Sequence, residues 1–219
     1  SGYFDGGEER LSVSGGSSLN FGTGDLTVEC WVYPRSFTSP IVFSQIDDGN
    51  GRDGVAFGIS SSTNLWWLFG DGSNWVFQRT PSFSTPLNAW THLAVTRSGS
   101  TAYLFANGVQ IDTVSNSTSL SADSLGLTYL GGPPQSGYDL DGNLSDLRVV
   151  KGTAVYTGNF TPPTSPLTAV SGTSLLTLQN RGANRNIGFI DSSHPTREIT
   201  RNGNVTQGSF SPFSQDEGK

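Results

Sequence analysis

"WTHLAVTRSGSTAYLFANGVQIDT", residues 90–113, reads as three strands folded back on one another. In residues 91–97, Leu93 and Val95 fall on one face and His92, Ala94 and Thr96 on the other, the two-residue period of a strand. Ser98-Gly99-Ser100 has turn chemistry, and residues 101–106 alternate again. Asn107-Gly108 is the pair best suited to the positive φ angles of a two-residue hairpin turn, and Val109 and Ile111 then continue the pattern. The stretch is an antiparallel meander with no obvious catalytic group beside it.

Working outward, further short strands are expected near residues 2–4, 11–13, 26–33, 41–45, 55–60, 64–69, 75–80, 127–131 and 140–150. A Pro-rich stretch at 161–166 interrupts the pattern, and three or four more strands follow near 174–179, 187–190, 198–201 and 204–207. The one helical candidate is a short turn at Ala154 to Tyr156. Strands at this spacing, joined by turn residues, predict an all-β sandwich or jelly roll. At 219 residues, one large domain over 1–219 is favoured over two small ones. Residues 168–219 either complete that sandwich or lead into a next repeat. The alternation puts Val28, Val32, Leu93, Val95 and Leu104 in the core and turns Glu29, Trp31, Tyr33, Tyr103 and Phe105 the other way. Asp146 and Arg148 alternate along one strand and are expected to form an internal ion pair.

Composition narrows function by exclusion. A net charge of −6 and a pI near 4.7 argue against a nucleic-acid partner, which selects for a basic stripe. Only two Lys occur, Lys151 and Lys219, so no polybasic membrane patch exists. No apolar run approaches the ~20 residues of a membrane span, and no membrane insertion is expected. A lone Cys30 cannot form an internal disulfide. Between Val28 and Val32 it reads as a buried small hydrophobe rather than a nucleophile. Met is absent even at position 1, so the chain begins by processing, by trimming, or as a piece of something longer.

Four stretches occur in the order and spacing of a laminin G-like, concanavalin A-like domain: "YFDGGEERLSV", "FGTGDLTVECWVYP", "WTHLAVTRSGSTAYLFANGVQIDT" and "YDLDGNLSDLRVVKGTAVYTGNFTPPTSPL". Residues 2–167 resemble that family. The later "KGTAVYTGNFTPPTSPLTAVSGTSLLTLQ", "FIDSS" and "ITRNGNVTQGSFSPF" are similar to the form found in virion proteins of marine bacteriophages, especially those infecting cyanobacteria. In such proteins a segment of this kind also stands just before a "YFDG" start, which would make this chain one unit of a tandem array. The resemblance implies a concanavalin A-like jelly-roll sandwich of two antiparallel sheets in a virion or extracellular protein. It further implies a non-catalytic recognition module for cell-surface glycan or polysaccharide, often with calcium at the sandwich rim. Other virion proteins, sibling repeats or a homo-oligomer are the alternative partners, in which case the module is purely structural.

The same fold hosts glycoside hydrolases, which need two carboxylates about 5 to 9.5 Å apart. Glucanases of the fold carry a pattern like Glu-x-Asp-x-x-Glu on one strand. None of the five Glu here (Glu8, Glu9, Glu29, Glu198 and Glu217) has an Asp two residues on. His92 and His194 are far apart in the chain, and no nucleophile-elbow Ser motif is present. No enzyme activity is expected.

Two other sites are. "DDGNGRDG" brings Asp47, Asp48, Asn50 and Asp53 into seven residues, an oxygen-rich loop of the kind calcium takes, although the spacing is not that of an EF-hand. Asp139 and Asp141 are candidates to help there; equally, Asp, Gly and Asn make solvated turns without any metal. For glycan, Asp71, Asn74 and Trp75 at one turn and Tyr138 and Asp139 at another offer stacking rings beside hydrogen-bonding groups. Trp31 and Trp90 match positions under loops, and burial is expected for both.

Overall fold

The inward rows read from residues 26–33 and 91–106 lie side by side at the centre of one sheet. Val28 and Cys30 of β3 (Leu26–Pro34) stand opposite Val95 and Leu93 of β8 (Thr91–Ser98), which in turn face Leu104 and Ala106 of β9 (Thr101–Ala106). All six side chains are buried, and fully burying each of the larger ones contributes ~1.5–3 kcal/mol. Asn107 and Gly108 close the next hairpin with φ of 48° and 77°, the left-handed pair that the turn requires. The computed structural model describes residues 1–46, 52–121, 126–135, 137–179 and 188–214.

Among these residues two antiparallel sheets form. The first runs β10 (Val109–Ser115), β9, β8, β3, β12 (Asp141–Lys151), β1 (Gly2–Asp5) and β15 (Thr206–Gln207). Strand β13 (Thr173–Thr177) joins β12 on the edge it shares with β1. The second sheet runs β14 (Ile199–Asn202), β2 (Arg10–Ser14), β11 (Leu127–Leu130), β4 (Ile41–Ser44), β5 (Asp53–Ser61), β6 (Asn64–Asp71) and β7 (Trp75–Arg79). One core fills the space between them, from Val28, Val32, Leu93, Val95 and Leu104 of the first sheet to Val55, Phe57, Trp67 and Phe69 of the second. At the open edge the two sheets are tied by Asp112 of β10, which accepts hydrogen bonds from Trp67 Nε1 at 3.0 Å and Arg79 Nε at 2.7 Å.

Several expectations are corrected. Ala154 to Tyr156 is not helical; the helical element among the described residues is a single 3-10 turn at Gly16–Ser18. No strand forms at 188–190. Asp146 and Arg148 do not pair. One extra residue on β12 between the pairs Ser145↔Trp31 and Arg148↔Glu29 makes a bulge, with Asp146 at φ 49°. The bulge shifts the alternation, so Leu147 points into the core and Arg148 out of it. Asp146 instead accepts from Leu167 N at 2.9 Å and Ser145 Oγ at 2.7 Å.

Candidate functional site

The outer face of the first sheet is sealed. Glu29 is fully buried there, and its Oε1 accepts from Arg148 Nε at 2.8 Å and from Nη2. Oε2 meets His92 Nε2 at 3.1 Å and accepts from Tyr156 Oη at 2.9 Å. Arg148 Nη1 goes on to the Thr168 carbonyl at 2.8 Å, so the cluster straps residues 153–168 across the sheet. Thr27 and Thr96 hold the same strap at Thr153, Val155 and Tyr156. Burial alone would raise the Glu29 carboxyl, but the His92 hydrogen bond and the Arg148 charge bring it below its ordinary value. Further along, Phe213 lies edge-on to Trp31, and Phe210 packs on Tyr33 and Trp90. Trp31, Tyr33 and Trp90 thus join a second, smaller packing layer, and Trp31 and Trp90 are only partly buried where burial was expected.

The outer face of the second sheet is different. On β5, β6 and β7 the register sets Gly58 beside Trp66, Ala56 beside Leu68 and Gln78, and Gly54 beside Gly70 and Trp75. Their in-between neighbours Val55, Phe57, Trp67 and Phe69 fill the core, so this second set points outward. Ile41, Ile46, Ala56 and Leu68 form a shallow apolar floor, on which Trp66 and Trp75 rest only partly buried. Gln78 is exposed on the same side. Gly70 cannot be larger: a Cβ there would strike the Arg52 carbonyl. Two indoles with solvent-facing surface and an amide between them make a platform with polar groups at hand.

The Asp71 turn borders that platform. Asp71 Oδ1 accepts from Ser73 N at 2.8 Å and Asn74 N at 2.6 Å, and these backbone donors hold its carboxyl below the ordinary range. Asn74 is exposed beside Trp75. Asp71, Asn74 and Trp75 therefore share one surface, while Trp66 and Gln78 complete it without having been singled out as candidates. A signal for them existed in residues 54–58, where small and large residues alternate and leave room above the outer face.

Tyr138 and Asp139 lie away from the Asp71 turn, at the level of Trp66. The Tyr138 carbonyl accepts from Ile41 N at 2.9 Å, and Ile41 pairs with Gly58, whereas Asp71 pairs with Asp53. Five residues of strand separate those two levels, roughly 17 Å. Tyr138 is 43% exposed, but Asp139 is only 5% exposed and its Oδ1 has no hydrogen-bond partner. Burial raises the Asp139 carboxyl and leaves little of it open to a ligand. The expected joint surface of the two loops is therefore not formed. By the same register the Asp139 loop meets the second sheet at the Gly58 level, five residues of strand from Asp53, and Asp141 begins β12 of the first sheet. Asp47, Asp48 and Asn50 fall outside the described residues; Asp53 is 6% exposed at the start of β5.

A laminin G family model described as the concanavalin A-like lectin/glucanases superfamily matches residues 5–155. No curated protein matches the chain by sequence. Among solved structures, a candidate carbohydrate-binding protein of Bacteroides ovatus superposes with a TM-score of 0.65 at 16% identity, over 95% of this chain and 62% of its own. The heptameric SAP-like pentraxin of Limulus polyphemus gives 0.54 at 18% identity, over 71% and 76%. The CBM40 of the Ruminococcus gnavus IT-sialidase, bound to α2,3-sialyllactose, gives 0.51 at 15% identity, over 62% and 79%. At these identities the likeness is one of fold.

Proposed function

The chain belongs to the concanavalin A-like lectin/glucanases superfamily, and from that premise we propose that it is a non-catalytic module that binds a cell-surface glycan on the outer face of its second sheet. The observation that carries this is the pair of partly exposed indoles, Trp66 and Trp75, set on an apolar floor beside Gln78, Asn74 and Asp71. Flat apolar rings stack on the C–H faces of a sugar, and neighbouring amides and carboxylates satisfy its hydroxyls. The candidate carbohydrate-binding Bacteroides protein and the sialyllactose-bound module support the same reading.

Absence of catalysis is supported by the chemistry of the acids. Glu29 is locked among Arg148, His92 and Tyr156 under the strap, and backbone donors hold the Asp71 carboxyl below its ordinary range, whereas a general acid needs its own raised. Membership of a phage virion appendage, as one repeat of an extracellular array, is supported by the sequence resemblance of residues 151–213. Calcium remains part of the proposal through Asp47, Asp48, Asn50 and Asp53, where it would supply charge to draw these oxygens together. Support there is the donor chemistry of the loop and the register of Asp53 with Asp71.

A glycan array carrying bacterial surface polysaccharides tests the function, with Trp75→Ala and Tyr138→Ala beside the parent chain. The parent should bind, Trp75→Ala should lose at least about tenfold in affinity as truncated aromatic anchors do, and Tyr138→Ala, level with Trp66 but off the row of indoles, should lose less. A module that only packs against neighbouring subunits would bind nothing.

A further inference from the structure

Trp66 and Trp75 lie on neighbouring strands, and Trp75 stands level with Gly70, four residues along β6 from Trp66. At ~3.3 Å per residue and ~4.8 Å between strands, their Cα atoms are about 14 Å apart. A single pyranose is no wider than an indole and cannot touch both. Neighbouring strands differ in direction by only roughly 20–25°, and both indoles pack on the same apolar floor. Between them Ala56 and Leu68 are too short and too buried to rise into the path. Gln78 pairs with Leu68 midway between the two indole levels and is exposed. At the Trp75 end, Asn74 and the Asp71 carboxylate close the row.

We propose that this face takes an extended, linear stretch of equatorially linked pyranosides lying along β6, with one ring stacked on Trp66, another on Trp75, and Gln78 bonded to hydroxyls of the rings between. The inference rests on the proposed glycan-binding function and names the class of glycan for that site. Equatorial linkages keep successive rings in a flat ribbon that shows C–H faces to the sheet over the whole span. Axial linkages curl the chain, so that it meets one indole and leaves the other. Two weak stacking contacts on one ligand reinforce each other through effective concentration, which makes binding depend steeply on chain length.

The test is titration calorimetry with β-1,4-linked gluco- and manno-oligosaccharides in a ladder from the monosaccharide to the hexasaccharide, with α-1,4-linked chains of the same lengths alongside. The expected result is a step of roughly tenfold or more in affinity once the β-linked chain bridges both indoles, and no step for the α-linked series. Trp66→Leu and Trp75→Leu keep contact with the apolar floor but remove the flat ring, so each should abolish the step while melting stays close to that of the parent. Equal affinity across the ladder, or a step that survives Trp66→Leu, overturns the inference. If array glycans bind and are lost in Trp75→Ala but no β-1,4-linked chain binds, the linear-chain inference falls and glycan binding stands. If nothing on the array binds, both fall together.

Discussion

Replacing Glu29 by Gln removes one charge from a cluster in which Glu29 and His92 are fully buried and Arg148 nearly so. In the folded chain, Glu29 takes two hydrogen bonds from Arg148 on one oxygen and contacts His92 and Tyr156 on the other. The substituted amide keeps the shape but leaves the Arg148 guanidinium, itself 5% exposed, without its counter-charge. Breaking a buried pair from one side costs about 3–5 kcal/mol. For a domain of 150–250 residues each kcal/mol moves Tm by about 2–4 °C, so Glu29→Gln should melt roughly 6–20 °C lower at neutral pH. The pH dependence follows from the direction of the shift. A carboxyl lowered in the folded state stabilises above its unfolded pKa, near 4.5, and that contribution is lost as pH falls through the folded value. The two melting curves should therefore converge as pH drops below about 4.5. Removing both charges with Glu29→Gln and Arg148→Met should recover part of the loss. Circular dichroism melts across this pH range read all three results. A Glu29→Gln loss of under about 1 kcal/mol at neutral pH, typical of an exposed pair, would show that the cluster is solvated and the strap is not sealed by it. Glycan binding should be unchanged, because the cluster lies on the opposite sheet.

Cys30 is fully buried, and burial together with the nearby Glu29 charge pushes its thiol far up. It should resist iodoacetamide in the native chain at neutral pH and react only on unfolding, as mass spectrometry of the intact chain would report; rapid native labelling would place it at the surface. Calcium in the Asp47 to Asp53 loop should raise the melting temperature by mass action, and equal melting in millimolar calcium and in chelator would remove the ion from the proposal. Gly70→Ala should destabilise the platform, because its Cβ meets the Arg52 backbone, which cannot rotate away as a side chain can. Lower Tm and weaker glycan binding are expected together; a variant with parental Tm would contradict that packing.

The sequence by itself determined what depends on neighbours in the chain. Two-residue alternation identified the inward rows of β3, β8 and β9, Asn107-Gly108 fixed the hairpin, and Asp71-Gly72 marked the turn that borders the platform. These are local choices, made by the alternation of faces along a strand and by backbone conformations few residues can adopt. Only the tertiary structure decided how the strands line up. The bulge at Asp146 slipped β12 by one residue and gave Arg148 to Glu29, 119 positions away, in place of its near neighbour. The order of strands in the second sheet put Tyr138 at the Gly58 level and Asp71 at the Asp53 level, dividing two turns that composition alone made look alike. The same order set Trp75 beside Gly70 and so placed two indoles on one face. Strand partners are chosen by the burial of whole rows against one another, a long-range energy that leaves no trace in local period, so the site could be recognised only after the sheet had closed.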